Sequence, residues 1–389
     1  MSAGVVSRWA RRFVAASAVF LVAWQVAAVA GTPRDIRVAL AVHGFVLHTV
    51  FGKAYSLVPS YFDRTLAVPR APMVHLPLTA LGAVGLALAP LPRIPEIAGL
   101  VGALLWSAGV VVFVAVLAWT LRDNPTGRET GTGEANADRR QIDRFANAFV
   151  PVVLGYLVVG SYATLTGYAS VQTIGVARAA HLLAAGTAGL LLFAVGFRLF
   201  PRFLVASPPK SLVAVVLPAG AVGPAVLAWG LYRGAWFRAG ALLEATAVVG
   251  FALAYAVLFA RSERRRVGFY AVLAGVIAGV LGVLVGLHFA WNGVAPALIS
   301  AHFRLNVLGL LGLTIVGATY QFYPPTVGTF RGASDRTALA SVALIGVGLL
   351  AELGGALADA PDLLLAGRVS ALAGAVVFAG LVLGVFAER

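Results

Sequence analysis

His302, Asn306, Gly309, Val316 and Tyr320 fall on or near one face of a long apolar stretch at helical spacing. They belong to Ala301-His302-Phe303-Arg304-Leu305-Asn306-Val307-Leu308-Gly309, which runs on through Gly317 to an aromatic-proline exit, Tyr320-Gln321-Phe322-Tyr323-Pro324-Pro325. An imidazole above a glycine-rich, mildly polar face suits a flat prosthetic group packed against the helix, its metal held by a ring nitrogen. The same histidine could instead be hydrogen-bonded to a neighbouring helix, so other parts of the chain have to decide.

The elements that must position these residues are membrane helices. Hydrophobic residues make up 60% of the 389 and charged residues 11%, more apolar surface than a soluble chain can bury. Twelve stretches are long and apolar enough to cross a bilayer, near 12–31, 36–60, 72–92, 95–121, 145–170, 175–204, 209–232, 236–260, 268–291, 296–324, 336–358 and 364–387. The predicted fold is therefore an all-α integral membrane protein of twelve helices, a single transmembrane domain over 1–389. The first stretch follows Arg8, Arg11 and Arg12 and ends Ala-Ala-Val-Ala-Gly, as a signal peptide would, but it is read as a retained helix that keeps the span count even.

Net charge is +14, yet there is no basic amphipathic stripe and no nucleic-acid motif. The charge is arginine in the connections between spans, with Lys53 and Lys210 the only lysines. Arginine is concentrated on the amino-terminal side of the membrane, which predicts both termini in the cytoplasm of a plasma (cell) membrane. Residues 122–144, rich in Gly, Thr, Asn and Asp, read as a flexible cytoplasmic loop. The chain has no cysteine, which excludes thiolate haem ligation, CxxCH haem attachment and cysteine-ligated iron–sulfur clusters. Any metal must be held by His, Asp, Glu or Tyr, and there are six histidines.

An internal repeat divides the spans into three pseudo-symmetric groups of four, about 12–121, 145–260 and 268–387. The second span of each carries a histidine, then glycine, then an exit at proline. The first reads His43-Gly-Phe-Val-Leu-His48, with Gly52, Tyr55 and Pro59 following. The second has His181, Gly186, Gly196 and Pro201, and the third His302, Gly317, Tyr320 and Pro324. Gly52, Tyr55 and Pro59 share the spacing of Gly317, Tyr320 and Pro324, and His181 to Gly196 equals His302 to Gly317.

With this topology His43, His181 and His302 lie at one depth in the outer third of the membrane, joined by His288. Glu244, Glu352 and Arg304 fall in the same layer. Ionisable groups in spans cost roughly 2.5–3.5 kcal/mol at mid-helix on insertion scales, so they face the bundle interior and pair. A common internal site is expected, with His302, His43, His181 and His288 as metal ligands. His181 and His288 could hold a second metal, copper or zinc, with Glu244 or Glu352 as an oxygen ligand. His43 and His48 are about 140° apart on an α-helix and should not share a metal. His302 and Arg304 point nearly opposite ways, leaving Arg304 for a propionate or for Glu352. His75 reads as structural or interfacial. Lys53 reads as snorkelling toward the cytoplasm, six residues before Pro59, with a proton path as the alternative.

Twelve spans in three groups, with histidines on the second, sixth and tenth, resemble the haem-copper oxidase subunit I superfamily, which includes the cytochrome oxidases and the nitric oxide reductase large subunit. The shorter membrane haem/copper proteins of the NnrS type, linked to nitric oxide responses, are also similar. The local likeness lies in Ala301-His302-Phe303-Arg304 with its Phe322-Tyr323-Pro324 exit, and in Val42-His43-Gly44-Phe45-Val46. The resemblance implies a b-type haem, with His302 the ligand of a high-spin haem and His43 a ligand of a low-spin one. It also implies copper, a partner electron-transfer subunit and a gas ligand, oxygen or nitric oxide. Departures are large. Arg304 stands where the family's second histidine would be, residues 209–232 hold no histidine, and Ala185 stands four residues after His181 where many oxidases have a tyrosine. Three-histidine copper ligation and oxygen-reducing proton pumping are therefore not expected.

The leading expectation is a haem-binding membrane protein in electron transfer or in oxygen or nitric oxide binding or reduction, a haem-dependent oxidoreductase if it is an enzyme. The cofactor-binding candidates are His302, His43, His48, Arg304, Asn306 and Gly309. A multi-span transporter and an oxidase-like assembly or partner subunit without a chromophore are the alternatives.

Overall fold

A backbone crossing a bilayer must satisfy its own hydrogen bonds, and continuous helix does so within each span. The structure, a computed structural model, describes residues 2–95, 97–169 and 175–388, and all of their regular elements are helical. Position 170, at the end of the predicted fifth span, and Glu96, near the start of the fourth, lie outside the described residues. Among the described residues twelve helices are long and apolar enough to cross a membrane: α1 (Gly4–Val29), α2 (Arg34–Tyr61), α3 (Ala71–Leu88), α4 (Ile97–Leu121), α5 (Glu134–Tyr168), α6 (Val176–Leu204), α7 (Lys210–Gly230), α8 (Gly234–Arg261), α9 (Val267–Asn292), α10 (Pro296–Val327), α11 (Asp335–Leu357) and α12 (Pro361–Ala387). Local chemistry sets several starts. Proline opens α3, α10 and α12 in the first turn, where no amide partner is lost. The Ser334 hydroxyl caps α11 by accepting from the Thr337 amide at 3.2 Å.

Three helices form the middle. The most apolar windows of α2, α6 and α10 are 83%, 78% and 67% buried, against at most 56% for the other spans, which turn residues such as Val111 and Trp229 outward. The middle portions of α2, α6 and α10 touch one another. The other helices surround them, α12 closing against α1. Neighbouring helices approach through small residues: a Cβ on Gly348 of α11 would lie 2.6 Å from the Gly367 carbonyl of α12.

Each central helix widens into a π-helical segment, Ala39–Val46 in α2, Leu182–Gly189 in α6 and Leu305–Leu313 in α10. Such segments are rare and concentrate at functional sites. Here His43 lies inside the first, His181 immediately precedes the second, and His302 stands three residues before the third.

The connection at 122–144 folds back on the bundle rather than running free. Asn124 donates to the Phe62 and Glu129 carbonyls at 3.0 and 2.8 Å. Thr132 donates to Asp143 at 2.5 Å, and Arg202 pairs with the same carboxylate at 2.6 Å. Buried Arg198 lies 3.5 Å from Asp143 and donates to Asn147 and to the Tyr61 carbonyl, so this latch joins α2, α5 and α6. Its physical reason is the cost of leaving Arg198 and Asp143 buried and unpaired.

Candidate functional site

His302 ends the α-helical turns that open α10, and its Nδ1 lies 2.9 Å from the Gly282 carbonyl of α9. A carbonyl only accepts, so Nδ1 carries the proton and Nε2 keeps its lone pair. His181, on α6, does the same with the Ala177 carbonyl at 2.7 Å. The two rings face a common space with centroids 6.4 Å apart and planes 31° from parallel. Both rings line the same chamber, and imidazole nitrogens are common metal ligands. Gly286 makes room, since a Cβ there would lie 3.0 Å from the His302 ring.

This chamber is walled by Phe193, Leu227, Val248, Val283 and Leu310 among other apolar side chains. Arg34, exposed at the start of α2, lines its edge. Glu244 of α8 enters the same chamber, and its Oε1 is buried without a hydrogen-bond partner. Asn306 also lines it and donates to the His302 carbonyl at 2.8 Å. His181, His302, Glu244 and Asn306 are thus brought together. Among the described residues no group of three or more His, Cys, Asp or Glu forms a metal cluster. The donor set is two imidazoles facing a cavity, with one unpartnered carboxyl near them.

His288 does not join them. It is exposed on α9, 3.2 Å from Asn292, because it lies about half a turn round the helix from Gly286, which faces His302. His43 also stands elsewhere. Its ring packs edge-on against Trp106 at 4.7 Å and its Nε2 is 3.5 Å from the Thr164 hydroxyl. The imidazole opposite His302 is therefore His181, not His43. His48 donates from Nδ1 to the His43 carbonyl at 2.8 Å and lies 6.4 Å from Trp106, so both histidines share one cluster. The α-helical period separates them by about 140°, and the π-helical turns between them change that angle.

His75, read as structural or interfacial, is fully buried in this second cluster. Its Nδ1 is 3.1 Å from the Tyr55 hydroxyl, and Thr79 bonds its carbonyl at 3.0 Å while lying 3.4 Å from His48 Nε2. The signal was present: His75 and Thr79 are four apart, and Tyr55 follows His48 by seven, so each pair shares a helix face.

Arg304 serves the far side of α10. It pairs with Glu352 at 2.6 Å, donates to Gln25 at 2.8 Å and lies over Trp24 at 5.4 Å. Arg368 stands 3.9 Å from the same Glu352 oxygen. These side chains stand around Arg304, the residue in the place of the family's second histidine. Gly309 does not cradle a flat group. A Cβ there would lie 2.5 Å from the Ala278 Cβ, so the glycine lets α9 approach α10. Lys53 does run toward the aromatic exit of α10, where it donates to the Tyr323 hydroxyl at 3.1 Å.

No family model matches the chain, and no curated protein sequence matches it.

Proposed function

We propose that the chain is a haem-binding multi-pass membrane protein on a scaffold like that of haem-copper oxidase subunit I, with the group held by His302 and His181. The observation that carries this reading is the pair of imidazoles 6.4 Å apart across an apolar chamber, each with Nδ1 committed to a backbone carbonyl and Nε2 free. The three widened central helices, each with its histidine, and the repeated His, Gly and Pro spacings favour three pseudo-symmetric groups of four. Arginine placement favours both termini in the cytoplasm of a plasma membrane.

In this role the Gly282 and Ala177 carbonyls fix the two rings and strengthen their free nitrogens as donors. Arg34 at the edge of the chamber would supply a cation for carboxylates of the group. Phe193, Val248, Val283 and Leu310 keep water out. Held by His302 and His181, haem would supply one-electron transfer. Glu244 stands in the same walls as a carboxyl able to hold or release a proton. A second reading is a bare copper or zinc ion on His181 and His302 with Glu244 as oxygen ligand, favoured by the unpartnered Glu244 Oε1.

Purification after expression with ample haem, followed by absorption spectroscopy and metal analysis, separates these readings. A Soret band with iron near one per chain is the expected result. A colourless protein carrying copper or zinc supports the bare ion. A colourless, metal-free protein that moves a solute into liposomes is a carrier, and that outcome overturns the proposal.

A further inference from the structure

A second cavity lies on the axis of the bundle, walled by α2, α6 and α10 alone. It is lined by side chains such as Val46, Val50, Leu191, Val195, Leu311 and Ile315. Leu311 is the one wall residue it shares with the histidine chamber. Lys53, half-buried on α2, is the charged residue in its lining. The ammonium donates to the Tyr323 hydroxyl at 3.1 Å and sits over the rings of Phe322 at 3.8 Å and Tyr323 at 4.3 Å. Among the described residues it forms no ion pair.

An ammonium has three donors, and Tyr323 takes one. The aromatic faces offset part of the charge, but two donors are left at the edge of an almost wholly apolar space. A cation inside a span that lacks a carboxylate partner calls for an anion. The same walls call for hydrocarbon. We infer that this cavity binds a single-chain amphiphile with one negative charge, a long-chain carboxylate, its head on Lys53 and its chain between the three central helices. A fatty alcohol offers the same chain without the ion pair, and a phosphate head brings more charge than one ammonium matches. This site is independent of the metal reading, since its walls contain no histidine and no carboxylate.

The test uses the full chain, purified in a neutral detergent and stripped of lipid, titrated with oleate and with oleyl alcohol. Binding is read by native mass spectrometry and thermal unfolding. Wild type is expected to bind one oleate and to prefer it over oleyl alcohol by about tenfold or more, roughly 1.4 kcal/mol. Lys53→Arg keeps the preference, Lys53→Met binds the two alike, and Leu192→Trp, which fills the cavity, loses both. Equal oleate affinity in wild type and Lys53→Met overturns the inference, as does a wild type that does not distinguish acid from alcohol. If Lys53→Met fails to fold, that wild-type preference and its loss in Leu192→Trp still decide. Iron and copper content, measured in the same samples, separates failure here from failure of the metal reading.

Discussion

His302 and Arg304 are two residues apart on α10 and serve opposite sides of the bundle. Toward α11 and α12, Arg304, Glu352 and Gln25 are packed against one another, and the charge of the guanidinium is met within the protein. Toward α6, α8 and α9, His302, His181 and Glu244 line a shared chamber, and among the described residues the Glu244 Oε1 has no hydrogen-bond partner. Both sides bury polar groups in a membrane helix bundle, yet one meets its charge with a counter-charge and the other holds Glu244 with no ion pair among the described residues. Closed pairs of this kind hold a fold together. Open ones are what a ligand needs.

Substitution can sharpen that contrast. The largest effect is expected for Glu352→Ala, which leaves Arg304 buried without its partner and should cost about 3–5 kcal/mol in reversible unfolding. Replacing both residues by Met should recover most of that loss. A Glu352→Ala protein as stable as wild type would break the distinction between the two sides. Next comes Gly309→Val, which forces side-chain atoms into Ala278 and should cost about 1–3 kcal/mol while leaving metal content unchanged. Loss of metal without loss of stability would instead make Gly309 part of a cofactor cradle. Tyr55→Phe removes the hydrogen bond to His75 and should cost about 0.5–1.5 kcal/mol, with no spectral change. The smallest effect belongs to Glu244→Gln. This carboxyl has an unpartnered oxygen, so unfolding should shift by less than about 1 kcal/mol, in contrast to Glu352→Ala.

The spans were legible because an apolar run of bilayer length leaves few alternatives. The twelve predicted helices differ from those observed by a few residues at most ends, and the larger extension of α5 comes from 134–147, where polar residues continue the helical path into the latch. The opposition of His302 and Arg304 followed from the helical period alone. Less of the site could be read. No residue pattern announces the π-helical turns, and through them the α-helical angle between His43 and His48 does not hold. Depth placed His43, His181, His288 and His302 in one layer, but depth says nothing of direction. His288 turns outward, His43 turns to Trp106, and only His181 stands opposite His302. The anchoring of 122–144 was hidden because its partners, Phe62, Arg198 and Arg202, are distant in sequence.

The measurement that tests the central claim most directly is the absorption spectrum of haem-loaded wild type beside His302→Ala, His181→Ala and His43→Ala, each checked for folding by thermal unfolding. The account predicts that the Soret band is lost or displaced in the first two variants and kept in His43→Ala. A band untouched by His302→Ala and His181→Ala, or one that depends on His43 and not on His181, contradicts it.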